Sequence, residues 1–192
     1  MKVYRQLAAF PNLLTLLRLV IVPFIVINVV GGNYGWALGL FVLAGVSDFF
    51  DGMLARALKQ RTELGQYLDP IADKMLLSTL FLVLSIMHDI PWKYTVLVFS
   101  RDITILIVAG VLYITNTLRN FRPSLFGKIN TTAQIAAVFF VMLHQVTSVA
   151  WVALARHIGL YATFAFTLLS GLHYIWLIAH QLRANAGTGA SA

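Results

Sequence analysis

Residues 48–73 read DFFDGMLARALKQRTELGQYLDPIAD, and a long apolar segment runs into each end of this stretch. Asp48 and Asp51 are spaced i, i+3, and Asp69 and Asp73 are spaced i, i+4, so each pair shares one face of a helix. The chain has only 7 acidic residues, and these aspartates are most of them. If the two helices fold back as an antiparallel hairpin, the carboxylates converge at one membrane boundary. Their repulsion in a low dielectric costs several kcal/mol unless cations neutralise it. Ligation by oxygen alone points to a hard ion, magnesium or manganese or calcium, rather than zinc. Carboxylates in this number suit two ions. Gly52 and Gly65 carry no side chain, so a bound phosphate or base can approach the backbone there. The plainer alternative pairs these carboxylates with Arg56, Lys59, Arg61 and Lys74. It suits a single aspartate at a helix end better than four at these spacings.

Working outward, the chain is 59% hydrophobic and only 11% charged, against roughly a quarter charged in soluble domains. Six apolar segments follow one another: Asn12 to Val30, Tyr34 to Leu54, Pro70 to Ile90, Lys93 to Thr115, Ile129 to Ala150, and Ile158 to Gln181. Each is long enough to cross a bilayer as a helix and too continuous for a barrel strand. The expected fold class is therefore all-α, a polytopic integral membrane protein with six transmembrane helices. Residues 1–11 form an N-terminal segment, either frayed or an interfacial helix. Residues 12–181 form the membrane domain, and 182–192 a disordered tail. The first apolar segment lacks a small-residue cleavage site, so it is expected to remain in the protein.

Six spans put both termini and the second and fourth loops on one side. That side carries Lys2, Arg5, Arg56, Lys59, Arg61, Arg119, Arg122, Lys128 and Arg183, against Lys93 and Arg156 on the other. The positive-inside rule then places the termini and the four aspartates at the cytoplasmic face of a bacterial-type inner membrane. A net charge of +7 is explained by this orientation and by anionic lipid, without nucleic acid as a partner. The chain has no cysteine, which excludes thiol chemistry. Its histidines contain no i, i+4 pair, which disfavours zinc. Gly31, Gly35 and Gly39 repeat every four residues and permit close helix contact, within the chain or across a dimer, with contact inside the chain preferred.

Charges inside spans are costly and usually face a cavity or a partner. Arg18 lies in the first span, Arg101 and Asp102 in the fourth, and Arg119, Arg122 and Lys128 around the fourth loop. Adjacent helix residues point about 100° apart, so Arg101 and Asp102 are expected to be poorly placed to neutralise each other. That leaves Arg101 to face an anion. Together these basic residues suit an acceptor that carries phosphate.

Written out, Asp48, Asp51, Gly52, Ala55, Arg56, Gly65, Asp69 and Asp73 resemble, without a departure, the signature of the CDP-alcohol phosphotransferase family. The resemblance implies transfer of a phosphatidyl group from CDP-diacylglycerol to an alcohol, with release of CMP. It implies Asp48, Asp51, Asp69 and Asp73 as ligands to magnesium or manganese, with two ions bound. Asp73 is further implied as the base on the acceptor hydroxyl, and Gly52, Arg56 and Gly65 line the CDP site. The stretches PNLLTLLRL, FSRDITI and PSLFGKINTTAQ are similar to the branch that makes phosphatidylglycerophosphate or cardiolipin. By the same resemblance Asn12, Thr15 and Arg18 contribute to the nucleotide and acceptor sites. The acceptor is then glycerol 3-phosphate or phosphatidylglycerol, the latter slightly favoured by SRD and KINT, and a homodimer is implied. An acceptor such as an inositol phosphate is the alternative within the family. A cation transporter is the alternative outside it, but its carboxylates would sit near the midplane in broken helices related by repeats.

Overall fold

A computed structural model describes the backbone of residues 10–57, 63–114 and 125–188, and the side chains of residues 15–48, 72–107 and 127–172. Among the described residues there are six helices and no strand: α1 Phe10–Val30, α2 Tyr34–Ala57, α3 Glu63–Ile86, α4 Trp92–Ile114, α5 Leu125–Val146 and α6 Ala150–Thr188. The all-α expectation therefore holds. Gly127–Val146 in α5 and Ala150–Leu172 in α6 are each long and apolar enough to cross a membrane, and Thr15–Val30 and Tyr34–Asp48 are shorter apolar stretches. The last helix continues to Thr188, past Gln181 and into the segment that composition assigns to a disordered tail. The added residues LRANAGT include the helix formers Leu, Arg and Ala, which carry a helix beyond its apolar part.

The chain divides into two compact units, Met1–Pro91 with Val138–Arg156, and Trp92–Ala137 with His157–Ala192. In the first unit α1 packs against both α2 and α3. Thr15, Arg18, Val22, Ile25 and Val29 are buried at alternating three- and four-residue steps, which makes them one stripe of α1. The opposite stripe, Leu17, Val20, Phe24 and Ile27, is exposed and just as apolar. A helix apolar on both its packed and its open faces belongs in lipid rather than water.

The α1–α2 turn is a Schellman closure. Asn33 N–H reaches Asn28 C=O at 2.8 Å and Gly32 N–H reaches Val29 C=O at 3.0 Å, with Gly32 at φ 74°. The α3–α4 turn repeats this geometry around His88, at φ 64°, with Asp89 N–H on Leu84 C=O at 2.8 Å. That turn delivers Asp89 into a buried position. Its carboxylate accepts the Tyr34 hydroxyl at 2.6 Å and the Gln145 amide, while Arg156 donates to its backbone carbonyl at 3.1 Å. One aspartate thus ties the start of α2, the end of α5 and the start of α6 to the α3–α4 turn. The preference for Gly31, Gly35 and Gly39 as an intrachain packing face is corrected: among the described residues nothing lies within 4 Å of the Cβ position of Gly35 or Gly39. Gly31 lies close only to the backbone and turn of its own helix end.

In the second unit the close approach is made elsewhere. A Cβ on Gly159 of α6 would meet Ala137 Cα of α5 at 3.1 Å. Further along the same pair Thr167 donates to Asn130 Oδ1 at 2.9 Å. Residue numbers rise on one helix as they fall on the other, so α5 and α6 run antiparallel in a single register. The buried face of α6 is polar, with Thr163, Thr167 and Ser170, whereas its exposed face carries Leu154, Ile158, Tyr161, Leu168 and Leu172. This inside-out distribution is the one expected where the surrounding solvent is hydrocarbon. Substituting Gly159 by Leu is expected to lower the thermal midpoint in detergent by an amount equivalent to about 1–3 kcal/mol of overpacking. Gly171→Ala, where the added methyl meets nothing within 4 Å among the described residues, should be neutral or slightly stabilising in the same melt.

Candidate active site

Arg18 projects from the buried stripe of α1, and its guanidinium is held between two carboxylates from two other helices. Nη2 bonds Asp48 Oδ1 of α2 at 2.5 Å, and Nη1 bonds Asp73 Oδ1 of α3. The planar fork of Arg presents its two terminal nitrogens side by side, so it can hold two acceptors at once where a lysine would offer one point charge. The Arg18 side chain is 1% exposed, while Asp48 and Asp73 are 49% and 44% exposed. The cation is therefore embedded in the unit, and the carboxylates face outward from it.

This contact brings the first and the last aspartate of the 48–73 stretch together across the α2–α3 hairpin. It also identifies a counterion that sequence reasoning passed over, since Arg18 is expected there at the acceptor and not on the aspartates. The missed signal is positional. Arg18 shares a helix stripe with Thr15, which is also buried, so its side chain has to find its partners inside the helix cluster.

Asp48 and Asp73 offer only oxygen donors, and both are close to half exposed on the side away from the guanidinium. Both properties fit a hard divalent cation. The side chains of Asp51, Gly52, Arg56, Gly65, Asp69 and Asn12 lie outside the described residues, although their backbones belong to α2, α3 and α1. Among the described side chains no group of three or more His, Asp or Glu is gathered for a metal. Asp48 and Asp73 are the described half of the expected ligand set.

Of the basic residues expected at the acceptor, Arg18 belongs to the first unit, and Arg101, Arg119, Arg122 and Lys128 fall in the second. Arg119 and Arg122 are outside the described residues, and Lys128 is exposed on α5. Arg101 is buried on α4, where Nη2 donates to Ser170 Oγ at 3.3 Å. The expectation that Arg101 and Asp102 are poorly placed to neutralise each other is wrong: Arg101 Nη1 pairs with Asp102 Oδ1 at 2.8 Å. The 100° offset separates only the Cβ directions, and the long arginine stem bends around the helix to reach its neighbour.

The family model for CDP-alcohol phosphatidyltransferases matches residues 8–179. A probable phosphatidylglycerophosphate synthase of Mycobacterium tuberculosis is 34% identical over 181 residues, covering 88% of this chain and 81% of the relative. A CDP-diacylglycerol–glycerol-3-phosphate 3-phosphatidyltransferase of Sodalis glossinidius is 33% identical over 179 residues, covering 90% and 96%. The human cardiolipin synthase (CMP-forming) is 32% identical over 153 residues, covering 70% of this chain and 50% of the relative. With the match running from α1 into α6 and including both arms of the aspartate hairpin, the chain belongs to the CDP-alcohol phosphatidyltransferase family of phospholipid-synthesising transferases.

Proposed function

We propose that this enzyme transfers the phosphatidyl group of CDP-diacylglycerol to the hydroxyl of an acceptor that contains glycerol phosphate. Phosphatidylglycerol, giving cardiolipin, is the favoured acceptor, and glycerol 3-phosphate is the second. The observation that carries the reading is the convergence of Asp48 and Asp73 on Arg18. It draws α2 and α3 together at the aspartate signature. Relatives named for each of the two products support the acceptor class.

The acceptor oxygen bonds to the phosphorus that bears diacylglycerol, the bond from that phosphorus to the CMP oxygen breaks, and the hydroxyl proton passes to Asp73. Such a substitution asks the protein mainly for position and for charge neutralisation. Members of the family generally use divalent metal ions. Asp48, Asp51, Asp69 and Asp73 would hold two, magnesium or manganese, and these would supply neutralisation of the diphosphate and of departing CMP. Arg18 positions Asp48 and Asp73 from behind, so it acts through them and not on the acceptor. Gly52, Arg56, Gly65, Asn12 and Thr15 line the CDP site, and Arg101, Arg119, Arg122 and Lys128 serve the acceptor's phosphate.

A six-span arrangement, with the hairpin and both termini at the cytoplasmic face of a bacterial-type inner membrane, completes the proposal. Its domain limits are 1–11, 12–181 and 182–192, and it functions as a homodimer. Trp36, Trp92 and Trp151 support the topology. They fall in the first turns of α2, α4 and α6, all exposed, as an aromatic belt at the opposite interface requires.

Purified protein given CDP-diacylglycerol and manganese is expected to release CMP and form a new phospholipid with phosphatidylglycerol, and to stop when EDTA is added. CMP release that persists in EDTA would overturn the metal reading, and silence with both acceptors would overturn the acceptor class. Asp73→Asn should lower turnover by roughly a hundredfold to ten-thousandfold at saturating metal and substrate, and near-wild-type turnover would remove it as the base. Arg18→Met should weaken the apparent manganese affinity about tenfold to a hundredfold in a metal titration of CMP release. Arg18→Lys should recover only part of that loss.

A further inference from the structure

The Arg18 contact holds α2 and α3 at one end only. Metal–oxygen distances tolerate deviations of about 0.2 Å, so carboxylates on separate helices can share an ion only where those helices do not slide. Apolar faces resist sliding weakly in hydrocarbon, because a displaced residue meets lipid tails as apolar as the neighbour it left. A guanidinium on a long stem yields as well. Holding the carboxylates level takes a second tie, and one stands at the opposite end of the same two helices.

There the Tyr34 hydroxyl, in the first turn of α2, donates to Asp89 Oδ2 at 2.6 Å. Asp89 is a stiff post. Its N–H donates to Leu84 C=O of α3 at 2.8 Å, and its own C=O accepts from Arg156 at 3.1 Å. Its other carboxylate oxygen accepts from the Gln145 amide. The residue is short and 7% exposed, so it has little room to follow a moving partner. Every residue of both ties belongs to the first unit.

The two ties keep one antiparallel register. Asp48 stands about 21 Å along α2 from Tyr34, and Asp73 stands about 20 Å along α3 from Ile86, where that helix ends before the turn that carries Asp89. Two sides of nearly equal length, joined at both ends, make a closed frame. With Arg18 alone, α2 could advance along α3 by one residue, about 1.5 Å, and carry Asp48 away from Asp73. That step is several times what a shared ion tolerates.

We infer that Tyr34 and Asp89 are positioning residues for the metal ligands: their hydrogen bond, at the far end of the hairpin, holds Asp48 and Asp73 level. Neither touches the reacting groups, and both act through the helices that carry the aspartates. The inference rests on the metal reading above.

The chain has no cysteine, so spin labels on Leu43→Cys of α2 and Met75→Cys of α3 have no background. Both positions are about half exposed, and they report the spacing near the aspartates without metal or turnover. In the full chain in detergent, Tyr34→Phe is expected to widen the label distance distribution by roughly 1.5–3 Å, one to two helical residues. Manganese binding, read from the spin resonance of the free ion, should weaken about twofold to tenfold, the contribution of one neutral hydrogen bond. At saturating manganese kcat should stay within about twofold, since the ligands themselves are intact. Asp89→Asn keeps an acceptor for Tyr34, and Gln145 can turn its amide to match, so manganese binding there should stay within about twofold of wild type. Gly159→Leu, which destabilises the second unit, should change neither the label distances nor manganese binding. Asp89→Ala removes the acceptor and covers the case in which Tyr34→Phe fails to fold. Unchanged label distances or unchanged manganese binding in the folded variant overturns the inference. So does an Asp89→Asn loss as large as that of Tyr34→Phe, or an equal loss in Gly159→Leu. Wild-type protein that binds no manganese removes the metal reading and this inference together, whereas bound manganese with an unaltered Tyr34→Phe removes the inference alone.

Discussion

Arg18 sits between Asp48 and Asp73, and the arrangement of α1, α2 and α3 depends on that three-way contact. In a water-soluble protein the apolar stripe of α1 would decide how the three helices meet, because each buried Val or Ile contributes about 1.5–3 kcal/mol by leaving water. In hydrocarbon that drive is absent, since a lipid tail is as apolar as the neighbouring helix. What remains is van der Waals fit and the requirement that every polar group find a partner. A guanidinium at 1% exposure has to be paired, and breaking a buried ion pair costs about 3–5 kcal/mol. The polar contact therefore fixes which turns of α1, α2 and α3 stand level, and the apolar residues pack around it.

The same contact leaves the centre unfinished in a useful way. The guanidinium binds one oxygen from each of two carboxylates that are themselves close to half exposed, so it joins their helices and leaves each carboxylate partly open to its surroundings. Members of the family generally use divalent metal ions, and carboxylates held on one side and open on the other keep oxygen donors available. The far end of the first unit shows the contrasting case. There Asp89 receives Tyr34 and Gln145 and becomes a buried tie between elements.

The second unit extends the principle. Thr163, Thr167 and Ser170 are turned inward along α6 while Leu168, Leu169 and Leu172 face outward, and a close helix contact falls at Gly159, where a side chain would meet the backbone of α5. Small residues set the spacing of α5 and α6, and hydrogen-bonding residues set their register.

The aspartate signature was legible in the sequence because its information is local: i, i+3 and i, i+4 spacings put carboxylates on one face of any helix. Helices and their order were legible because apolar length alone demands them in lipid. Contacts between distant residues were not legible. Arg18 meets partners 30 and 55 residues away, and nothing in PNLLTLLRL says whether an arginine in a span turns to a substrate or to an aspartate of another helix. Arg101 and Asp102 were misjudged because direction at Cβ does not limit a four-bond side chain. Gly35 and Gly39 were misjudged because a small-residue spacing permits a close contact without choosing which helix makes it. The Thr163, Thr167 and Ser170 stripe was written in the sequence at helical spacing, yet its bond to Asn130 needed α5 and α6 to be brought into register. Sequence determined the chemistry available and the helices that carry it; tertiary structure decided which charges pair, because pairing depends on register between helices, and only three-dimensional packing sets register.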